Sequence, residues 1–296
     1  MLVFFNPNLG SSDVVHKRWL ANRLKLINDQ EIGCLTSDCN EIEIELTRNP
    51  KENSVLVIGG DGTLNKIVSF IMEKISSTRE LNFFIIPAGG GNDLSRWLKL
   101  RHKGETIKLK PVSVKIDGIE YFSLNSCSIG FTAGALRVRS FLVKAVPALK
   151  GISYIIAVLL SLPKLMRTVC FSRDGKEIVT QVCIFMNGAF FGNGIKVVSE
   201  PVFEKSIFNV FQLKSDLGFF RVITALIKAL IKGVETLDEV SHSASNEINL
   251  KLFEKTNVEI DGELTTASNS MLIKKISRSI RIGLWEDDEN PPNYED

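Results

Sequence analysis

Through the first hundred residues, short apolar runs alternate with stretches of helical spacing. Residues 2–5 are apolar, and after them Val15, Trp19, Leu20, Leu24 and Ile27 recur at threes and fours, so a strand leads into an amphipathic helix. A strand at 55–58 is followed by Leu64, Ile67, Val68, Ile71, Met72 and Ile75 on one helical face. Residues 81–86 form a further strand before a short helix from Asp93. Strands alternating with helices predict a three-layer α/β domain on a parallel sheet. In 41–47, Ile42, Ile44 and Leu46 alternate as in a strand, but the charges and the α/β rhythm favour a helix, the reading adopted.

The rhythm changes after the basic stretch 99–110. Short runs at 121–124, 169–172, 179–186 and 207–213 predict a β-rich second domain, giving an α/β domain over 1–112 and a β domain over 113–270. Helical spacing interrupts it at 152–166 and 219–232. In the latter, Arg221, Thr224, Lys228 and Lys232 make a polar stripe among apolar residues, the pattern of an interfacial helix and also of a core-packed surface helix. The acidic, proline-containing segment 286–296 reads as a disordered tail.

Composition narrows the partners. The 296 residues are 44% hydrophobic and 24% charged with a net charge of +2, which suits a folded core and lacks the basic excess of a nucleic-acid binder. Five cysteines without CxxC spacing suggest neither a disulfide framework nor a zinc site, and fit a reducing cytoplasmic setting. The apolar segments fall short of the ~20 residues that span a bilayer. His16, His102 and His242 have no partners at ligand spacing.

Candidate chemistry sits in two loops. The strand 55–58 runs into Gly59-Gly60-Asp61-Gly62-Thr63-Leu64-Asn65, where a helix begins. Glycines let backbone amides approach a phosphate, and a helix amino terminus adds unpaired N–H groups. The strand 81–86 runs into Gly89-Gly90-Gly91-Asn92-Asp93 and again opens a helix, so both loops belong at one end of a parallel sheet, where such sheets bind ligands. Neither is a Walker A or GxGxxG motif. Asp61 and Asp93 could hold Mg²⁺ against phosphates, or simply cap helices. Near the carboxyl end, Asp261-Gly262-Glu263 reads as a hairpin turn whose carboxylate could accept a hydroxyl proton.

These motifs resemble the diacylglycerol kinase catalytic-domain family, which includes bacterial soluble lipid kinases and sphingosine kinases. The likeness rests on Asn6-Pro7 with Gly10, residues 59–65, Gly89 with Gly91-Asn92-Asp93, Tyr121-Phe122 with Asn125, Asn187-Gly188, Gly192 with Gly194, and Asp261-Gly262-Glu263. The resemblance implies a carboxyl-terminal β-sandwich, ATP and Mg²⁺ in a cleft between the domains, and a strand at 271–285 returning to the first. It implies transfer of phosphate to a lipid alcohol at a peripheral membrane surface. Asn6, Gly59, Gly60, Asp61, Gly62, Thr63, Gly89, Gly90, Gly91 and Asn92 would meet nucleotide, Asp61 and Asp93 the metal, and Asp261 would be the general base with Glu263 beside it. A homodimer is compatible with this reading.

The chain departs from the family pattern at four places. Gly90 stands where threonine is usual, Lys66 and Lys115 where acidic residues are usual, and Glu204-Lys205-Ser206 replaces an Asp-Asp-Gly element that holds a structural Mg²⁺ in some bacterial members. A kinase of a soluble metabolite or NAD, and a non-catalytic lipid or nucleotide sensor, are the alternatives.

Overall fold

The computed structural model describes residues 2–5, 33–34, 53–74, 81–88, 92–101, 106–145, 156–157, 160–161, 168–173, 175–192, 194–215 and 217–285. The helix expected after the first strand, the segment 41–47 and the tail 286–296 lie outside these residues, as does most of 152–166.

Two compact units form, one from residues 1–108 with 280–296 and the other from 109–279. In the first, β1 (Leu2–Phe5), β2 (Gly33–Cys34), β3 (Ser54–Gly59), β4 (Asn82–Pro87), β5 (Ile107–Leu109) and the late strand β20 (Ile280–Leu284) make a sheet ordered β2-β1-β3-β4-β20-β5. The pairs β1–β2, β1–β3, β3–β4 and β4–β20 are parallel. Val55, Leu56, Val57 and Ile58 are all fully buried, the mark of a central parallel strand. Helix α1 (Asp61–Lys74) buries Leu64, Ile67, Val68 and Ile71, and carries Asp61 in its first turn and Lys74 in its last, as its dipole favours. Helix α2 (Asp93–Arg101) follows β4.

The returning segment is shorter than 271–285. Ser270–Lys275 (β19) stays in the second unit, paired antiparallel with β6 (Val112–Ile116), and only Ile280–Leu284 joins β4. The reason lies in the side chains: Met271 and Ile273 are fully buried in the sandwich core, which holds the strand there.

The second unit is a β-sandwich with helices on one outer face. One sheet takes β7 (Ile119–Ser123), β9 (Val169–Arg173), β10 (Lys176–Thr180) and β16 (Glu247–Leu252) with β6 and β19, in the order β10-β9-β16-β19-β6-β7. The other takes β8 (Ser126–Gly130), β11 (Val182–Met186), β14 (Phe208–Leu213), β15 (Val240–Ser245), β17 (Thr256–Ile260) and β18 (Glu263–Ala267), in the order β15-β14-β11-β8-β17-β18. The short pair β12 (Phe190–Phe191) and β13 (Ile195–Lys196) stands apart. Strict alternation makes the sandwich: in β16, Ile248, Leu250 and Leu252 point inward while Glu247, Asn249 and Lys251 are exposed. Each such buried aliphatic side chain contributes about 1.5–3 kcal/mol. The run expected at 179–186 breaks at Gln181, which sends its two halves to different sheets.

The outer face of the second sheet is also apolar. Phe211, Leu213, Ile184 and Met186 pack under α3 (Phe131–Ala145), α4 (Phe219–Lys232) and the β12–β13 loop. Cys127 and Cys183 are buried, and burial pushes both thiols up, Cys183 to about 12, so they act as packing residues.

Candidate functional site

The two glycine loops leave the sheet side by side, as the sequence predicts. β3 and β4 pair in the register Ile58↔Ile86 and Gly59↔Pro87, so both loops leave the same end of adjacent parallel strands. The Ala88 N–H donates to the Gly59 carbonyl at 3.0 Å and stitches one loop to the other. The Gly60 carbonyl accepts the N–H groups of Thr63 and Leu64 at 3.0 and 3.1 Å, which starts α1 on the loop itself. Gly59 has to be glycine, because a Cβ there would lie 2.7 Å from the Cβ of buried Thr63.

Asp61 is half-buried, and its Oδ2 accepts the Asp93 N–H at 2.5 Å. It therefore satisfies the amino terminus of α2, a helix it does not belong to. Asn92, at φ +51°, makes the left-handed step that aims Asp93 into its buried position. Gly62 and Thr63 lie in the first turn of α1. Asn6, Gly10 and Gly89, Gly90 and Gly91 lie outside the described residues. Lys66 is exposed on α1. Two carboxylates beside backbone amides suit an Mg²⁺ that arrives with phosphates and keeps its waters. Among the described residues, no group of three or more His, Cys, Asp or Glu forms a resident metal cage.

Asp261 and Glu263 belong to the second unit. Asp261-Gly262 is the two-residue turn of the β17–β18 hairpin, with φ +46° and +89°, the type I′ signature. The Asp261 Oδ1 accepts from the Ser123 hydroxyl and the N–H groups of Asn125 and Ser126 at 3.0, 3.0 and 2.7 Å, and Oδ2 from the Leu124 N–H at 2.6 Å. Burial pushes the carboxyl above its ordinary value, while these donors pull it down. Buried Glu259 holds the Gly262 N–H at 2.7 Å and the Ser128 hydroxyl at 2.8 Å. Glu263 is exposed at the start of β18.

Asp117 uses the same device. It sits at φ +48° ahead of Gly118 and accepts N–H groups of Ser268, Asn269 and Ser270 at 2.7–3.0 Å. Asp117 is exposed and those bonds lower its pKa, whereas burial reverses the direction at Asp261. Environment separates the two aspartates, not turn type.

Behind the Asp261 turn lies a cluster that sequence reasoning noted only as Asn125 and Asn187-Gly188. The Asn125 carbonyl accepts the N–H groups of Asn187 and Gly188 at 2.8 and 2.9 Å, and its Nδ2 donates to the Phe190 carbonyl at 2.8 Å. A Cβ on Gly188 would fall 1.7 Å from the Asn125 Oδ1, so the close approach needs glycine. Asn187 donates from Nδ2 to the carbonyls of Leu124 at 2.8 Å and Lys110 at 3.0 Å, and its Oδ1 accepts from the Lys275 ammonium. Lys275 was missed, although period-two alternation with Met271 and Ile273 places it on the inward face of β19. Lys115 and Lys205 are exposed, and Lys110, not Lys205, donates to Ser206, at 3.1 Å.

Within the second unit a cavity of about 280 Å³ opens between the outer sheet face and the helices, lined by Phe131, Ala135, Ile184, Phe211, Val222 and Leu226 among other apolar residues. Helix α4 borders it and buries Val222 and Ala225. Its remaining surface is not polar throughout: Phe220, Ile227, Leu230 and Ile231 are 82, 52, 65 and 76% exposed. Of the basic residues on its flank, Lys228 is committed to the largely buried Glu239 at 2.9 Å.

An α/β unit with paired glycine loops, joined in sequence to a β-sandwich unit, defines the class. Residues 1–120 match the diacylglycerol kinase catalytic domain, which bears out the resemblance carried by the motifs. The chain is 30% identical over 98 residues to diacylglycerol kinase iota of Rattus norvegicus and of Homo sapiens, a match covering 33% of this chain and 9% of each relative. Two solved structures share the fold over nearly the whole chain. A provisionally assigned diacylglycerol kinase from Bacillus anthracis str. Sterne has 17% identity, covers 96% of both chains and gives a TM-score of 0.67. A second, from a diacylglycerol kinase of the same strain, has 16% identity, covers 95% of both chains and gives 0.61.

Proposed function

We propose that this chain is an ATP-dependent lipid kinase that transfers the γ-phosphoryl group to the hydroxyl of a diacylglycerol-like or sphingoid lipid. The observation that carries the reading is the pair of glycine loops on adjacent parallel strands, tied by the Asp61 to Asp93 hydrogen bond. Backbone amides of residues 59–63 and 89–92 would cradle the phosphates, and Asp61 and Asp93 would hold Mg²⁺. Bound Mg²⁺ supplies charge neutralisation for the transferring group. Asp261, raised by burial, would accept the hydroxyl proton, with Glu263 beside it.

The apolar cavity supports a lipid acceptor, since its volume lies near the lower end of ligand pockets and suits one acyl chain. The exposed apolar and basic surface of α4 supports peripheral contact with an anionic membrane. The donors saturating Asp261 favour a second reading, a nucleotide or lipid sensor in which that residue only anchors a turn.

The test incubates purified protein with labelled ATP, Mg²⁺ and micellar diacylglycerol, sphingosine and glycerophospholipids. A labelled product that Asp61→Asn abolishes without unfolding supports the kinase. ATP binding with no product from any lipid supports the sensor.

A further inference from the structure

Lys275 ends β19 and is 6% exposed, and its ammonium reaches the Asn187 Oδ1 and the Val202 carbonyl, the latter at 3.0 Å. Three loops converge there. The Val202 N–H closes on the Asn187 carbonyl at 3.0 Å, the Lys110 N–H on the Phe203 carbonyl at 2.9 Å, and the Asn187 Nδ2 on the Leu124 and Lys110 carbonyls. The partners given to the ammonium are neutral oxygens, the donor set that also suits a small hard cation. Burial, with the charge of Lys110 added, pulls the Lys275 pKa down to about 7.

The arrangement dictates which way the Asn187 amide faces. Two carbonyls require its Nδ2 on one side, and a donor is required opposite its Oδ1. Leu124 is then clamped through both of its backbone groups, its carbonyl by Asn187 and its N–H by the Asp261 carboxylate. We propose that Lys275 is a positioning residue for Asp261, acting through Asn187 and Leu124 from an oxygen-lined primary-ammonium site that the chain fills with its own side chain. The link to catalysis rests on the lipid-kinase reading; the ammonium site does not.

Lys275→Ala empties the site while leaving its oxygens in place. At slightly acid pH, hydrogen exchange of the Leu124, Asn125 and Ser126 amides should quicken about tenfold, the worth of one buried hydrogen bond. Added n-propylammonium should restore protection, whereas tetramethylammonium at equal ionic strength, having no N–H to donate, should not. In turnover, kcat should fall with the nucleotide KM unchanged, and n-propylammonium should raise kcat again.

Unchanged exchange in the folded variant, or equal responses to both cations, overturns the proposal. Should Lys275→Ala fail to fold, Lys275→Met keeps the stem and carries the same exchange measurement. If the wild type phosphorylates no lipid, the functional reading falls while exchange and rescue still decide the ammonium site.

Discussion

Helix α4 offers the most direct test of membrane contact, because its stripes are separable. Phe220, Ile227 and Ile231 share one face at spacings of seven and four, and Arg221, Lys228 and Lys232 repeat that spacing one position along. Lys228 is unsuitable for mutation. It pairs with Glu239, whose side chain is 8% exposed and whose pKa is lowered chiefly by that bond, so its loss would leave an enclosed carboxylate without its cation and confound the reading. Arg221→Gln with Lys232→Gln instead removes two exposed charges, worth about 1 kcal/mol each at an anionic surface. Vesicle affinity should fall about thirtyfold. Phe220→Ser with Ile231→Ser should cost more, about 1.5–3 kcal/mol per side chain withdrawn from the interface, without lowering the melting temperature. The assay is co-sedimentation with phosphatidylserine-containing and neutral vesicles at two salt concentrations. Wild-type affinity in both double variants, with the fold intact, would refute the membrane reading of this face.

Filling the cavity tests the acyl site: Ala135→Phe, at a buried position of α3, should shorten the preferred chain, each excluded methylene costing about 0.8 kcal/mol or fourfold in kcat/KM. A chain-length series with unchanged preference would count against it. Asp261→Asn places an amide group against N–H donors on one side of the turn, so the variant should lose about 1–3 kcal/mol of stability in addition to turnover, read by denaturant titration. Stability also reports on Lys275. Its folded pKa of about 7 lies below the ordinary 10.5, so between about pH 7 and 8.5 the unfolded chain binds more protons and stability should rise with pH. The buried thiols of Cys127 and Cys183 oppose this only nearer pH 9, and Lys275→Met should flatten the slope.

Local rules made much of this protein legible. The fully apolar 55–58 could only be a central strand, the three-and-four spacing of 64–71 a helix, and Asp261-Gly262 a tight hairpin, because each depends on neighbours within one turn or one strand. The glycine loops were equally plain, since backbone approach to phosphate needs missing side chains at fixed positions. The bounds of α4 follow from its spacing, but its amphipathic pattern does not say which apolar residues lie inside; Phe220 and Val222 are both apolar, and only packing against α3 and the sheet makes one 82% exposed and the other fully buried.

What tertiary structure alone decided are the long-range pairings. Asp61 caps a helix thirty-two residues away, Asp261 grips a turn more than one hundred and thirty residues back, and Lys275 is buried against Asn187, eighty-eight residues distant. Asp117 and Asp261 stand in Asp-Gly turns of the same kind, yet their carboxyls move in opposite directions. A sequence specifies propensities by its near neighbours, whereas the desolvation and donors that set a carboxylate's chemistry come from whichever distant segments the fold brings against it.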